Sequence, residues 1–236
     1  GKKLYEHVAI AYEQLQIGEE EIRQNGELEN GLVSIGASEN ALRLVLLSRL
    51  EKFHEQYPHV RLRISNHSTP QAIQALRSDI VDFAAVTTPL DIKSPLEKIP
   101  LASYREILIG GRKYKKLAEH TQKLEDIASL PFISLDENSS TRELYNSFFL
   151  EHGLSFAPDM ETATTDQMLP LITHNLGIGF YPKKMAELAL TKGDVYQIPL
   201  EEKLPLRRIY LVTNGSTAKS TAVRKMIKFI QEYHKI

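Results

Sequence analysis

The stretch "LVSIGASENALRLVLLSRLEKFHEQYPHVRLRISN", residues 32–66, holds a complete strand–helix–strand unit. The apolar run at residues 32–36 predicts a strand, and residues 60–66 predict a second one. Between them a predicted helix ends at Tyr57 and Pro58, and its apolar side chains follow a helical spacing: Leu42, Val45, Leu46, Leu50 and Phe53. This succession is typical of an α/β protein.

The same alternation continues further along the chain. In "STPQAIQALRSDI", Thr69 is the predicted N-cap and Pro70 the first residue of a second helix. A third predicted strand follows at residues 81–87. Strands and helices that alternate in this way predict a parallel sheet with helices on both of its faces.

A second unit of the same kind occupies the later part of the chain. "LPFISLD" predicts a strand, "STRELYNSFFLEHG" a helix, and "TDQMLPLITHNLGIGFYP" a helix that leads into another strand. Two long strand-like crossings join the two units, the first of them extending through Ala102 and Ser103. We therefore expect two lobes that face a cleft. In open α/β sheets, ligands bind beyond the carboxyl ends of the strands.

Composition and charge exclude several classes of protein. The 236 residues are 42% hydrophobic and 25% charged, which is typical of a globular protein. With 29 basic and 30 acidic residues the net charge is −1, so we do not expect this segment alone to bind nucleic acid. The lack of cysteine excludes disulfides and favours a reducing compartment. No apolar run approaches the roughly 20 residues of a membrane span, and no secretory signal is evident.

The N-terminal segment predicts an amphipathic helix. Its apolar stripe recurs at steps of four and three residues: Leu4, Val8, Ala11, Leu15, Gly18 and Ile22. The helix either lies on the globular body or forms a coil between subunits, and "NGELENG" predicts a linker after it. Because the chain begins with Gly1, we expect a piece of a longer protein, a tag remnant, or both.

The sequence lacks the motifs of common enzyme classes. "GASEN" does not match the G-x-S-x-G nucleophile elbow, and neither "GIGF" nor "IGGRK" matches a dinucleotide or phosphate-binding loop. The eight histidines show no H-x-x-x-H or H-E-x-x-H spacing. We therefore predict no catalytic residues, no metal and no cofactor.

The predicted strands instead end in turns that are rich in hydroxyl and amide side chains. These turns contain Ser38 and Asn40, Ser68 and Thr69, Thr87, Ser140 and Thr165. Ser140 and Glu143 also fit a capping box. Each turn taken alone can be explained as an ordinary helix N-cap. Several such turns at strand ends in both units favour a site for a small anion, because helix N-termini carry free amides and a partial positive charge.

The order of these elements resembles a known family. "ELENGLVSIGASENALRLVLLSRLEKFHEQYPHVRLRISNHSTPQAIQALRSDIVDFAAVT" and "LITHNLGIGFYPKKMAE" resemble segments of the regulatory domain of LysR-type transcriptional regulators. The resemblance implies two Rossmann-like subdomains with a type 2 periplasmic-binding-protein-like fold, joined by two crossover strands. It also implies a linker helix in residues 1–28, one discontinuous subdomain of residues 29–103 plus 207–236, and a second subdomain of residues 104–206.

The resemblance also implies a function. A small-molecule effector would bind in the cleft through seven residues: Ser38, Asn40, Ser68, Thr69, Ser139, Ser140 and Thr141. Together with Thr87 and Thr165 from the turns above, these are the predicted ligand-binding residues. Glu39 would oppose an anion unless it points outward or pairs with Arg43.

The same resemblance predicts the partners and the setting. We expect a cytoplasmic homodimer or homotetramer that has no contact with a membrane. DNA would be bound only through an N-terminal winged helix-turn-helix that this chain lacks. Two alternatives share the fold: a monomeric solute receptor of a transport system and a small α/β enzyme.

Overall fold

The strand–helix–strand unit of residues 32–66 is present in the computed structural model, which describes residues 31–233 and, separately, Leu15. Strand β1 (Leu32–Ala37) leads into helix α1, residues 39–56, and strand β2 (Arg61–Asn66) follows. Two α-helical segments of α1, Glu39–Ala41 and Leu47–Gln56, flank a π-helical segment at Leu42–Leu46 that the sequence did not indicate. The predicted linker helix of residues 1–28 lies outside the described residues apart from Leu15.

The other elements follow in chain order. The further strands are β3 (Phe83–Thr87), β4 (Leu96–Tyr104), β5 (Glu106–Gly111), β6 (Ile133–Leu135), β7 (Met160–Thr162), β8 (Ile178–Pro182), β9 (Val195–Ile198) and β10 (Arg207–Asn214). The further α-helices are α2 (Thr69–Arg77), α3 (Leu124–Ile127), α4 (Ser140–Glu151), α5 (Thr165–Thr173), α6 (Lys183–Lys192) and α7 (Thr221–Glu232). A 3-10 helix, Arg112–Ala118, follows β5.

The first sheet is mixed: its first three strands are parallel, as the sequence predicted, and two further strands join it in antiparallel pairing. Its strand order is β2-β1-β3-β10-β4. Strand β1 is parallel to both β2 and β3, whereas β10 is antiparallel to β3 and β4. The reason is the path of the chain: β4 leaves this sheet toward the second one, and β10 returns from it in the opposite direction. The local alternation of strands and helices in the sequence does not indicate the direction in which a distant strand such as β10 joins the sheet.

The second half of the fold has its own sheets. Strand β5 lies between β8 and β9 and is antiparallel to both, while β6 and β7 form a short parallel pair. The chain passes between the two halves twice, from β4 to β5 and from β9 to β10. We call the half built on the five-stranded sheet the first lobe and the half built on β5–β9 the second lobe. The predicted subdomain limits, 29–103 plus 207–236 and 104–206, remain a prediction.

Each lobe has apolar cores of its own. In the first lobe, β3 is buried along its whole length because α1 and α7 cover one face of the sheet and α2 covers the other. In the second lobe, an aromatic cluster joins α4 to the strands, with Phe132 at its centre and Tyr145, Phe149, Phe156 and Phe180 around it. These packed cores hold the strand ends that form the cleft.

Two helices begin one residue earlier than predicted. Ser68, with an extended backbone, precedes α2, and Thr69 is the first helical residue rather than the N-cap. Likewise Ser139 caps α4 by accepting a hydrogen bond from the Arg142 amide, so the capping box assigned to Ser140 was wrong. Several adjacent hydroxyl residues can each serve as a cap, and only the backbone angles decide which one does.

Candidate ligand-binding cleft

A cavity of about 200 Å³ lies between the two lobes, where β1, β2 and β3 end and where α4 and α5 begin. All nine residues predicted to bind a ligand line it: Ser38, Asn40, Ser68, Thr69, Thr87, Ser139, Ser140, Thr141 and Thr165. The first five belong to the first lobe and the last four to the second. The carboxyl ends of parallel strands meet at one edge of a sheet, which explains why turns far apart in sequence converge here.

The first lobe forms its wall from three successive turns. The Ser38 hydroxyl caps α1 by accepting a hydrogen bond from the Ala41 amide at 3.3 Å. Thr69 Oγ1 donates to the Thr87 carbonyl oxygen at 3.0 Å, and this bond ties the start of α2 to the end of β3. Gln71 Oε1 accepts from the Ser68 amide at 2.9 Å. Much of this wall is therefore held in place by its own hydrogen bonds.

The second lobe contributes the N-terminal ends of two helices. Ser139 Oγ accepts from the Arg142 amide at 3.1 Å and donates to the Asp136 carbonyl oxygen at 2.9 Å. Arg142 is buried and pairs with Glu161 at 2.6 Å, which fixes α4 against β7. Thr165 is buried at the first residue of α5. The first turns of the two helices offer amide donors and a partial positive charge, and the acidic residue Asp136 lies in the same wall.

Two buried polar atoms at the cleft have no hydrogen-bond partner among the described residues. They are Asn40 Oδ1 and Ser68 Oγ, and both residues line the cavity. Ser68 Oγ also faces the backbone amide of Gln71, with which Ser68 forms the capping box of α2, so Asn40 Oδ1 is the clearer of the two. The other end of the Asn40 amide, Nδ2, donates to the Tyr104 hydroxyl at 3.2 Å. A buried polar atom without a partner costs free energy, so such an atom beside a cavity marks a position where a ligand or a water can bind.

Behind the cavity lies an ion pair that the sequence did not predict. Arg207, the first residue of β10, is fully buried, and its Nη1 lies 3.1 Å from both carboxylate oxygens of Glu106, the first residue of β5. Arg207 Nη2 donates to Thr87 Oγ1 and to Thr141 Oγ1, each at 3.0 Å. The Tyr145 hydroxyl donates to Glu106 Oε2 at 3.0 Å.

A signal for this ion pair is present in the sequence but is ambiguous. Each crossing carries charged residues directly before an apolar strand, in "YREILIGG" and in "LRRIYLVTN". Arg105 precedes Glu106, and Arg208 follows Arg207. The sequence alone therefore does not show which of these charged side chains are buried. The two partners are 101 residues apart.

Burial and charge shift the pKa values of these groups. Burial raises the pKa of Tyr104 to about 12 although Arg207 acts in the opposite sense. Burial and then the Glu106 carboxylate raise the pKa of Tyr145 well above its ordinary value. Burial alone would lower the pKa of Arg207, but Glu106 and the two tyrosines oppose this, and its pKa is raised. At neutral pH both tyrosines are therefore neutral and Arg207 is charged.

Glu39 lies in the first-lobe wall of the cavity. Its carboxylate is 3.8 Å from Arg43 Nη1 and accepts a hydrogen bond from Asn66 Nδ2 at 3.2 Å. Burial raises the pKa of Glu39, Asp166 of the second lobe raises it further, and Arg43 lowers it. The expected pairing with Arg43 is present, but the carboxylate does not leave the cavity.

The chemistry of the cleft is that of recognition by hydrogen bonds. Its lining offers hydroxyls, amides and the starts of helices. Within residues 31–233 and Leu15, no group of three or more His, Asp or Glu side chains could hold a metal ion. In the same part of the chain, no helix is both long and apolar enough to cross a membrane.

Comparison with known proteins identifies the family. The model of the LysR substrate binding domain matches residues 26–235, so the chain belongs to this family and the resemblance is confirmed. The HTH-type transcriptional regulator YeiE of Escherichia coli K12 is 22% identical over 97% of this chain and 76% of its own length. A probable RuBisCO transcriptional regulator of Guillardia theta is 24% identical over 83% of this chain and 64% of its own length. The relatives thus extend beyond the region that this chain spans.

Solved structures share the fold. The effector binding domain of QuiR in complex with shikimate superposes with a TM-score of 0.75 at 20% identity, covering 87% of this chain and 98% of that domain. The regulatory domain of CcmR from Synechocystis PCC6803 in complex with 2-PG gives a TM-score of 0.76 at 15% identity, covering 86% and 97%. The predicted α/β fold of the periplasmic-binding-protein type is confirmed.

Proposed function

We propose that the chain senses a small effector for a LysR-type transcriptional regulator and binds it in the cleft between the lobes. The observation that carries this proposal is the convergence of nine hydroxyl and amide residues from five turns on one cavity. Two of these residues hold buried polar atoms without a partner among the described residues, which favours a ligand at this place.

The chemistry of the lining favours a small ligand rich in hydrogen-bond acceptors, such as a carboxylate or a phosphate ester. Helix starts offer amide donors, and a cavity of about 200 Å³ accommodates a small metabolite. The ligands named for the two solved relatives, shikimate and 2-PG, support a small effector. We infer that these residues bind the effector and that none of them catalyses a reaction.

The output of such a sensor depends on the rest of the regulator. Ligand binding would change the angle between the lobes or the subunits and so shift an equilibrium between two arrangements. In a homodimer or homotetramer, this shift would alter the spacing of N-terminal winged helix-turn-helix heads on DNA. A regulator of this kind would work in the cytoplasm. The subdomains would be residues 29–103 plus 207–236 and residues 104–206.

The test is a ligand screen followed by one substitution. Thermal-shift screening with small carboxylates, phosphate esters and amino acids selects ligands, and calorimetry then measures their affinity. Ser68→Ala removes a hydroxyl that has no hydrogen-bond partner among the described residues. It should therefore weaken binding about threefold to tenfold. Because Ser68 is also the N-cap of α2, the substitution should in addition lower the free energy of unfolding by about 1 kcal/mol or less.

The matched control is Ser155→Ala, which removes an exposed serine hydroxyl outside the cavity. This variant should bind with the affinity of the unsubstituted chain. Equal affinity of Ser68→Ala and Ser155→Ala for every ligand found would show that the cleft is not the effector site.

A further inference from the structure

A second cavity, of about 480 Å³, lies beside the first crossing between the lobes, and we call it the hinge pocket. The first lobe contributes residues of α1, β4 and β10 to its wall, and the second lobe contributes the first two turns of α6. Arg105, the residue between β4 and β5, also lines it. None of the described residues that line the hinge pocket also lines the cleft, so the two cavities are distinct.

The first lobe gives the hinge pocket an apolar surface. Leu44 and Val45 of α1, Ala102 and Tyr104 of β4 and Ile209 of β10 line it. Val45, Tyr104 and Ile209 are buried and belong to the apolar core of the first lobe. An aliphatic chain placed against this surface would be removed from water, which stabilises a complex in proportion to the apolar area that is buried.

Positive charge adjoins this apolar surface. Four basic residues line the hinge pocket: Arg49, Arg105, Lys183 and Lys184. Among the described residues that line it, Glu187 alone is acidic. Within residues 31–233, Arg105, Lys183 and Lys184 form no ion pair. A carboxylate at this end of the pocket would therefore meet cations whose charge no carboxylate of the described chain already compensates.

One hydrogen bond connects the hinge pocket to the cleft. Tyr104 lines the hinge pocket, and its hydroxyl accepts from Asn40 Nδ2 at 3.2 Å. Asn40 in turn lines the cleft, where its Oδ1 has no hydrogen-bond partner among the described residues. A ligand that displaces the Tyr104 ring would therefore change the environment of the Asn40 side-chain amide.

We propose that the hinge pocket is a second ligand-binding site, which takes a short-chain aliphatic carboxylate and is connected to the cleft through Tyr104. The apolar surface of the first lobe would hold the aliphatic chain, and the basic residues would hold the carboxylate. Because such a ligand contacts both lobes, it stabilises the arrangement of the lobes in which the pocket is formed. This inference does not depend on the function proposed for the cleft, whose lining is polar and includes two acidic residues.

The experiment titrates the unsubstituted chain with hexanoate, acetate and 1-hexanol and follows its ¹⁵N–¹H NMR signals. Hexanoate should shift the amide signals of Val45, Ser103 and Lys184, which line the hinge pocket. Acetate lacks the apolar chain and 1-hexanol lacks the charge, so each should bind at least about fivefold more weakly. Equal affinities for hexanoate and acetate, or shifts confined to the cleft residues Ser68 and Thr141, would overturn the proposal.

Two variants test the apolar and the charged part of the pocket separately. Ala102→Leu fills apolar space and should weaken the binding of hexanoate and of 1-hexanol about tenfold. Lys184→Gln removes one exposed charge and should weaken hexanoate about threefold without affecting 1-hexanol. The matched control is Lys192→Gln, which neutralises an exposed lysine of the same helix outside the pocket and should leave both affinities unchanged. Equal hexanoate affinities in all three variants would show that hexanoate binds elsewhere.

Tyr104→Phe tests the connection to the cleft. In the unsubstituted chain, hexanoate should also shift the side-chain amide signal of Asn40. In Tyr104→Phe, which lacks the acceptor of this amide, the shift of the Asn40 signal should be lost while the signals of Val45 and Lys184 still respond. An Asn40 signal that shifts equally in both chains, or in neither, contradicts the connection through Tyr104.

Discussion

At the scale of single residues, the cleft combines groups that favour an anion with two acidic residues that oppose it, Glu39 and Asp136. Hydroxyls and helix starts from both lobes offer donors, whereas the Glu39 carboxylate brings negative charge to the same cavity. Arg43 and Asn66 compensate part of that charge, at 3.8 and 3.2 Å. Asp166 of the second lobe acts on Glu39 in the opposite sense. The protonation of Glu39 should therefore affect both stability and binding.

The raised pKa of Glu39 gives a testable pH dependence. The folded state binds the proton of the Glu39 carboxyl more tightly than the unfolded state does. The free energy of unfolding therefore decreases as the pH rises from the ordinary glutamate pKa of roughly 4.3 through the raised pKa of the folded state. Glu39→Gln removes this loss. Thermal unfolding is measured from pH 4 to 8. The unfolding temperature of the variant, relative to that of the unsubstituted chain, should increase with pH by about 2 °C or less.

The control for this prediction is Glu51→Gln, which neutralises an exposed glutamate on the same helix outside the cleft. Its unfolding temperature should follow that of the unsubstituted chain across the same pH range. If the unfolding temperatures of Glu39→Gln and the unsubstituted chain depend on pH in the same way, burial does not raise the pKa of Glu39.

At the scale of the elements, the beginnings of the helices determine how the cleft is lined. Helix α4 starts at Ser140 because Ser139 has an extended backbone and satisfies the Arg142 amide. This start places Thr141 next to Arg207. The position of a cap thus decides which hydroxyl of a serine-rich turn takes part in the network.

Substitution of the two adjacent serines distinguishes the cap from its neighbour. Ser139→Ala removes the acceptor of the Arg142 amide and should lower the free energy of unfolding by about 1 kcal/mol. Ser140→Ala should have a much smaller effect, because Ser140 has no capping hydrogen bond. Urea denaturation of both variants provides the measurement. A larger loss in Ser140→Ala would restore the capping box that the sequence suggested.

At the scale of the whole molecule, two crossings of the chain join the two lobes, and the ion pair between them lies behind the cleft. Arg207 and Glu106 begin the strands that follow the two crossings, and their ion pair locks them together. A buried pair of this kind is weak evidence for stability, but breaking it would leave a charge uncompensated. The network therefore restricts how the lobes can be arranged around a ligand.

Self-association is the property by which the role of residues 1–28 can be tested. The apolar stripe of residues 1–28 is expected to pair between subunits, because its remaining faces are charged. Sedimentation equilibrium should show a dimer or tetramer for the whole chain. Deletion of residues 1–28 should weaken this association by at least about tenfold.

The alternatives for that segment predict other results. A helix that lies on its own body would leave the association unchanged on deletion and would lower the unfolding temperature instead. A monomer at all concentrations, with or without residues 1–28, would contradict the pairing of this segment between subunits.

The sequence by itself determined the α/β class, and its resemblance to a known family indicated the family. It also predicted nine ligand-binding residues, all of which are among the residues that line the cleft. The strands and the hydroxyl-rich turns could be predicted because periodicity and turn chemistry are local, and because strand ends of one sheet must meet at the same edge. Ser139 and Thr141 were indicated only by the resemblance to the family. Only the tertiary structure decided that β10 returns antiparallel and that Arg207 meets Glu106, Thr87 and Thr141. The physical reason is distance along the chain. A buried charge acquires its role from partners 101, 120 and 66 residues away, and no local pattern encodes those contacts.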